Sequence, residues 1–90
     1  MDEANTRERL KDVENEIAEQ KALIEAALEG ERFHEIEKAR KLELGEDASE
    51  HFTPIMLAQK QRTEAHAEIA KLELEREDLE LKLAAGREIE

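Results

Sequence analysis

The segment Gly45-Glu46-Asp47-Ala48-Ser49-Glu50-His51-Phe52-Thr53-Pro54 decides the fold, because it alone holds a glycine, a proline and several small polar residues together. Thr53 followed by Pro54 is a good helix start, with a hydroxyl N-cap and a proline at the first helical position, where no N–H is needed. Gly45 suits a C-terminal cap in the left-handed region. These signals divide the chain into helix 1 at about 4–43, a loop at 44–52 and helix 2 at about 53–85.

Both predicted helices carry a seam of residues spaced alternately three and four apart, which is typical of helices that pack at a shallow angle. In helix 2 the seam is Ile55, Ala58, Arg62, Ala65, Ile69, Leu72, Arg76, Leu79 and Leu83. In helix 1 it is Leu10, Val13, Ile17, Gln20, Ile24 and Ala27, and after a loss of phase near Gly30 it resumes at Phe33, Ile36 and Arg40. Gly86 is expected to end helix 2.

Folding the chain back at about residue 48 aligns the two seams. Partners would then have residue numbers that sum to roughly 96, with Ile17 opposite Leu79 and His34 opposite Arg62. If two hairpins form a bundle, Arg62 and Arg76 at seam positions can fix its register by pairing with Glu or Gln across the bundle. We therefore predict an all-α fold, an antiparallel two-helix coiled-coil hairpin that forms a single domain over residues 1–90.

A second apolar stripe on helix 2 predicts self-association. It consists of Ala67, Ala70, Leu74, Leu81 and Ala85, roughly opposite the seam. Isolated surface leucines are common and need no partner. Leu74 and Leu81 are one heptad apart, however, and a two-helix unit buries little area for its length. We expect a homodimer through Leu74 and Leu81, arranged as a four-helix bundle.

Composition excludes several functional classes. The 90 residues carry a net charge of −11, and 43% of them are charged, with no cysteine and only two aromatic side chains. The absence of cysteine excludes disulfides, thiolate catalysis and Cys-ligated zinc, and no apolar run approaches the ~20 residues that cross a bilayer. Strong acidity disfavours phosphate backbones and anionic membrane surfaces. We expect a cytoplasmic protein with neither a membrane partner nor direct nucleic-acid contacts.

Candidate chemistry is sparse. Ser49 is the only serine, no oxyanion-hole glycine pattern accompanies it, and no glycine loop could cradle a phosphate. We predict that the chain is not an enzyme and needs no cofactor. A ferritin-like metal site remains an alternative, because Glu31 and His34 share a helical face and the predicted register brings His66 to their level. The other interpretation is a solvated layer of ion pairs.

The predicted loop is acidic and lies at the far end of the hairpin. Glu43, Glu46, Asp47 and Glu50 have no base between them, and His51 and Phe52 follow. One interpretation is an ordinary turn, stabilised by side-chain-to-backbone bonds of Asp47 or Ser49. The other is a partner-facing tip, made of Glu46, Asp47, Glu50 and Phe52, that enters a basic cleft or helps to hold a divalent ion.

Gly45-Glu46-Asp47-Ala48-Ser49-Glu50 resembles the hairpin tip of the bacterial Gre-type transcript cleavage factors, which reads roughly G-D-L-S-E-N-A. Gln59, Gln61 and Ala70-Lys71-Leu72-Glu73 are similar to the start of that family's returning helix. The resemblance implies that Asp47 and Glu50 reach the active-site magnesium of RNA polymerase through its secondary channel. This chain departs from the pattern at His51, where the family has Asn, and at Pro54, where the family continues its helix.

The sequence as a whole favours a small acidic coiled-coil interaction or assembly protein. It would self-associate and bind an unidentified protein, one with a basic cleft if the tip is the contact. The first alternative is a regulator or inhibitor of a nucleic-acid enzyme, acting through a Gre-like tip or by mimicking nucleic acid with its negative charge. The second is a metal-binding helical bundle that uses Glu31, His34 and His66.

Overall fold

The computed structural model describes residues 3–89 and consists of two long helices joined by a short turn. Helix α1 spans Glu3–Glu43 and helix α2 spans Phe52–Ile89, with lengths of 41 and 38 residues. A 3₁₀ turn, Ser49–His51, precedes α2. The hairpin measures 71 × 15 × 14 Å. The prediction of an all-α helical hairpin is confirmed.

Gly45 ends α1 as predicted. Its φ of +74° lies in the left-handed region, the only positive φ among the described residues. The Gly45 N–H donates to the Leu42 carbonyl at 3.1 Å, and the Glu46 N–H donates to the Lys41 carbonyl at 2.8 Å. These are the two bonds of a Schellman motif, which satisfies the last carbonyls of a helix. The chain therefore reverses at Leu44 and Gly45, earlier than the predicted midpoint near residue 48.

Helix α2 differs from its prediction at both ends. It begins at Phe52, so Thr53 lies inside the helix and is not the N-cap. Pro54 is tolerated because it still falls in the first turn, where its missing N–H costs nothing. At the other end α2 continues through Gly86 to Ile89, beyond the predicted end at 85. A glycine weakens a helix but ends it only where the chain must turn, and Gly86 does not have the left-handed φ of Gly45.

The apolar seam holds the helices together near their free ends. Val13, Ile17, Ile69, Leu72 and Leu79 form the buried cluster, and Leu10 and Ile24 pack against it. The predicted seam of α2 is confirmed along its whole length, since each member is buried or half-buried. Its two arginines and Leu83 are the half-buried members.

The predicted seam of α1 is wrong beyond Gly30. Phe33, Ile36 and Arg40 are all exposed. The spacing of three and four continues without a slip through four polar residues that are all half-buried: Glu31, His34, Lys38 and Lys41. The prediction selected the apolar residues of this segment, which lie one or two positions before the true seam positions. The helix itself is continuous through Gly30.

The predicted register is also wrong, by about one heptad. The residue numbers of the ion pair Arg9–Glu75 add to 84, and those of the ion pair Glu31–Arg62 add to 93. The register therefore centres on a sum of about 89, not 96, and places Ile17 level with Leu72. A shift of seven residues leaves each seam facing the other, so apolar spacing cannot detect it. The position of the reversal at Leu44 and Gly45 fixes the sum.

Candidate interaction surfaces

Large apolar side chains are more often exposed than buried in this hairpin. Among the described residues six are buried, namely Val13, Ile17, Ile55, Ile69, Leu72 and Leu79. Ten are exposed, namely Leu23, Phe33, Ile36, Leu42, Leu44, Phe52, Met56, Leu57, Leu74 and Leu81. Contiguous exposed apolar surface on a soluble chain is typical of interaction sites. The exposed set falls into two regions, one on α2 towards the free ends and one around the half of the hairpin that contains the turn.

The first region is the predicted second stripe of α2. Leu74 is 69% exposed and Leu81 is 63% exposed, and Ala67, Ala70 and Ala85 are exposed with them. Leu72 and Leu79, two residues before each leucine, face α1 from the buried cluster. The stripe therefore lies on the side of α2 that faces away from α1, as its position roughly opposite the seam predicts. In a single hairpin nothing among the described residues covers it.

The second region contains a groove between the two helices, which we call the lateral groove. Its volume is about 700 Å³, and Leu23, Ala26 and Gly30 of α1 line it together with Pro54 and Leu57 of α2. The floor is open because Ala26 and Gly30 are small; a Cβ at Gly30 would meet no atom within 4 Å. Sequence reasoning missed this surface. The available signal was that Leu23 and Leu57 each lie directly beside a seam residue, Ile24 and Ala58.

Near the turn the seam of α1 is polar, whereas the seam of α2 holds the buried Ile55 and Ala58 together with Arg62. Arg62 Nη2 lies 2.6 Å from Glu31 Oε2, and Gln59 Nε2 donates to Glu31 Oε1 at 3.2 Å. This is the type of pairing expected of a seam arginine. Nearer the free ends, Arg9 Nη2 and Nε donate to the Glu75 carboxylate at 2.7 and 3.0 Å. Their mutual hydrogen bonds raise the pKa of Arg9 and lower the pKa of Glu75.

Two histidines meet across the turn. His34 Nδ1 lies 2.9 Å from His51 Nδ1, so one ring must donate a proton and the other must accept it. His51 is only 7% exposed. Burial is the main cause that lowers the pKa of His51, and the charges of Lys41 and His34 lower it further, against a smaller opposite effect of Glu37. The neutral form of His51 is therefore favoured in the folded chain.

The structure does not bring together the metal candidates Glu31, His34 and His66. Glu31 contacts Arg62, and His34 contacts His51. His66 is exposed and lies on α2, 14 residues or about 21 Å along the axis from Phe52, the first residue of that helix and the one after His51. Among the described residues no group of three or more histidines or carboxylates is placed to hold a metal ion. The different register is the reason, because it moves His66 away from the level of His34.

Two acids of the turn make contacts, one within the turn and one with α1. The Asp47 carboxylate accepts hydrogen bonds from the Ser49 N–H at 2.9 Å and the Ser49 hydroxyl at 3.0 Å, and these bonds lower the pKa of Asp47. The Glu50 carboxylate pairs with Lys41. Phe52 is 48% exposed, and Lys38 Nζ lies 5.4 Å from its ring centroid. Glu46 is exposed. Asp47 thus forms an Asx turn with Ser49 just before the 3₁₀ turn, as the simpler interpretation of the loop expects.

Neither described helix contains a stretch long and apolar enough to cross a membrane. Comparison of the chain with protein-family models, with curated proteins and with solved structures found no significant match.

Proposed function

We propose that this chain is a small acidic interaction or assembly protein, which self-associates through the Leu74–Leu81 stripe and binds a protein partner in the cytoplasm. The observation that carries the proposal is the excess of exposed over buried large apolar side chains, ten against six among the described residues. A two-helix hairpin has one seam and cannot cover more than one face of each helix. Further helices from other chains can cover the remaining faces.

The stripe suits a second copy of the chain. Its apolar positions recur at helical spacing along one side of α2, so two antiparallel copies of that helix could pack their stripes together as in a four-helix bundle. Full burial of a leucine contributes about 1.5–3 kcal/mol, whereas association costs at least about 4 kcal/mol. Two leucines per chain therefore support a reversible dimer and not an obligate one. The charge of −11 on each copy opposes association, so added salt is expected to strengthen the dimer.

Sedimentation equilibrium tests the self-association. We expect the wild-type chain to dimerise reversibly, and Leu74→Asp/Leu81→Asp to be monomeric at the same concentration because two carboxylates would be buried. Asn15→Asp/Ala18→Asp is the matched control: it also adds two negative charges at exposed helical positions, but on α1. An unchanged oligomer in the leucine variant would refute this interface. Equal dissociation of both variants would assign the effect to charge alone.

A further inference from the structure

The lateral groove has the dimensions of a helix-binding site. Its lining on α1 runs from Gln20 to His34, which is about 21 Å or four turns at 1.5 Å per residue. Packed helices lie 8–10 Å apart, and small residues such as Ala26 and Gly30 permit the closer distances. A helix laid between α1 and α2 would contact both and would complete a three-helix bundle.

An occupant of this groove would have to be a helix and not a strand, because strand addition needs free backbone N–H and C=O groups. In α1 and α2 those groups are used within the helices. Helix-in-groove recognition instead uses apolar anchors at i, i+3, i+4 and i+7. Leu23 and Leu57, on the two walls of the groove, are 56% and 54% exposed and would contact such anchors.

The charge of the groove selects the partner. Among the residues that line it the charged ones are Glu64 and Glu68, both exposed, and neither lysine nor arginine contributes; Lys60, outside the lining, has its Nζ 3.9 Å from Glu64 Oε1. A second copy of this chain, with its net charge of −11, would bring further acids to this rim. Lysine or arginine beside the apolar anchors of a partner could instead pair with both glutamates. The negative charge of the hairpin would also attract such a partner during association.

We infer that the lateral groove binds a basic amphipathic helix of another protein. This inference rests on the partner-binding half of the proposed function and is independent of the Leu74–Leu81 stripe. It names the chemistry of the partner: an apolar face of about four turns, flanked by lysine or arginine. The lateral groove and the stripe would then serve different partners.

Titration calorimetry with designed peptides tests the inference in the Leu74→Asp/Leu81→Asp background, where self-association cannot compete. The probe is a 21-residue peptide with leucine and alanine on one helical face and lysine on the flanks; a second peptide carries glutamate in place of each lysine. We expect one lysine peptide to bind per chain, and the glutamate peptide to bind at least tenfold more weakly. Absence of binding by the lysine peptide would overturn the inference.

Three variants locate the binding. Leu23→Asp/Leu57→Asp should weaken the lysine peptide at least tenfold, and Ala26→Trp should do so without a charge change by filling the groove. Glu64→Lys/Glu68→Lys should weaken it about tenfold, whereas Glu77→Lys/Glu80→Lys, with the same change in net charge on exposed positions outside the groove, should have less than a twofold effect. Helix content by circular dichroism checks that each variant is folded.

Two outcomes separate this inference from the proposed dimer. Equal affinity of the groove variants and the parent, or equal loss in both glutamate variants, would overturn groove binding while leaving the stripe intact. If Leu23→Asp/Leu57→Asp, introduced into the wild-type chain, abolished self-association in sedimentation, the lateral groove would be the site of a second copy, which overturns the basic-partner inference.

Discussion

The two halves of the hairpin use the same heptad spacing for different purposes. Near the free ends the seam is apolar, with Val13, Ile17, Leu72 and Leu79 buried against one another. Near the turn the seam of α1 is charged and polar, as in the pair Glu31–Arg62 and the contact of His34 with His51, although α2 keeps Ile55 and Ala58 buried there. Apolar packing supplies stability but repeats every seven residues and so fits several registers. Polar pairs add little net stability but restrict the register, since Arg9 and Glu75 would lie about 10 Å farther apart along the helices if the register sum rose from about 89 to about 96.

The largest expected effect is on stability, from truncation of the apolar seam. Leu72→Ala removes a side chain that is 5% exposed from the centre of the cluster, and we expect it to lower the free energy of unfolding by about 2–5 kcal/mol. Leu57→Ala is the matched control, because it deletes the same atoms from a residue that is 54% exposed and should cost less than about 0.5 kcal/mol. Urea unfolding at one protein concentration measures both. Similar losses in the two variants would contradict the division of the hairpin into a stabilising seam and an exposed groove.

A smaller effect is expected at the polar seam. Glu31→Ala leaves the half-buried Arg62 without its 2.6 Å partner, and we expect a loss of about 1–3 kcal/mol. Glu31→Ala/Arg62→Ala should be less destabilised than the sum of the single changes, because neither charge is left alone. A double-mutant cycle by urea unfolding measures the coupling. Additive losses would mean that the two side chains do not interact.

Distances between spin labels test the register. The chain has no cysteine, so Ala18→Cys can be combined with either Glu64→Cys or Asp78→Cys, all three positions being exposed. A register sum of about 89 places residue 18 level with the midpoint between residues 64 and 78. The 18–64 and 18–78 label distances should then agree within about 2 Å. A sum of about 96 would put residue 78 level with residue 18 and make the 18–64 distance clearly longer. Dilution with unlabelled chain removes contributions between copies.

The His34–His51 contact predicts that the stability of the hairpin depends on pH through a group near the turn, His51. Because the folded chain lowers the pKa of His51 below its usual 6.5, the unfolded chain binds more protons as the pH falls. The stability that the neutral ring contributes is present above about pH 6.5 and is lost as the pH falls towards the lower folded pKa. Wild-type stability should therefore decrease from pH 7.5 to 5.5. His51→Gln should flatten this dependence and His66→Gln, at an exposed site, should not; an unchanged profile in His51→Gln would contradict the prediction.

The smallest expected effect is at the turn. Asp47→Ala removes the two hydrogen bonds to Ser49, and we expect a slightly lower melting temperature with an unchanged helix content. Because the pKa of Asp47 is lowered, its contribution is present above its usual pKa of 3.8 and is lost below it as the folded carboxylate becomes protonated. Glu46→Ala, at an exposed position one residue earlier, is the control. Equal melting curves for the two variants would show that the hydrogen bonds between Asp47 and Ser49 contribute nothing to stability.

The sequence by itself determined the two helices, the hairpin, the cap at Gly45 and the complete seam of α2, because each depends on local conformational preference or on apolar spacing. It also placed Leu74 and Leu81 on an outer face. Only the tertiary structure decided the register, since a displacement of one heptad leaves both apolar seams buried, and only the site of reversal and polar pairs such as Arg9–Glu75 separate the two alternatives. The same tertiary pairing placed Glu31, His34 and Lys38 on the seam of α1 in place of Phe33 and Ile36, because the heptad phase set by residues 10–27 continues whatever side chains occupy it.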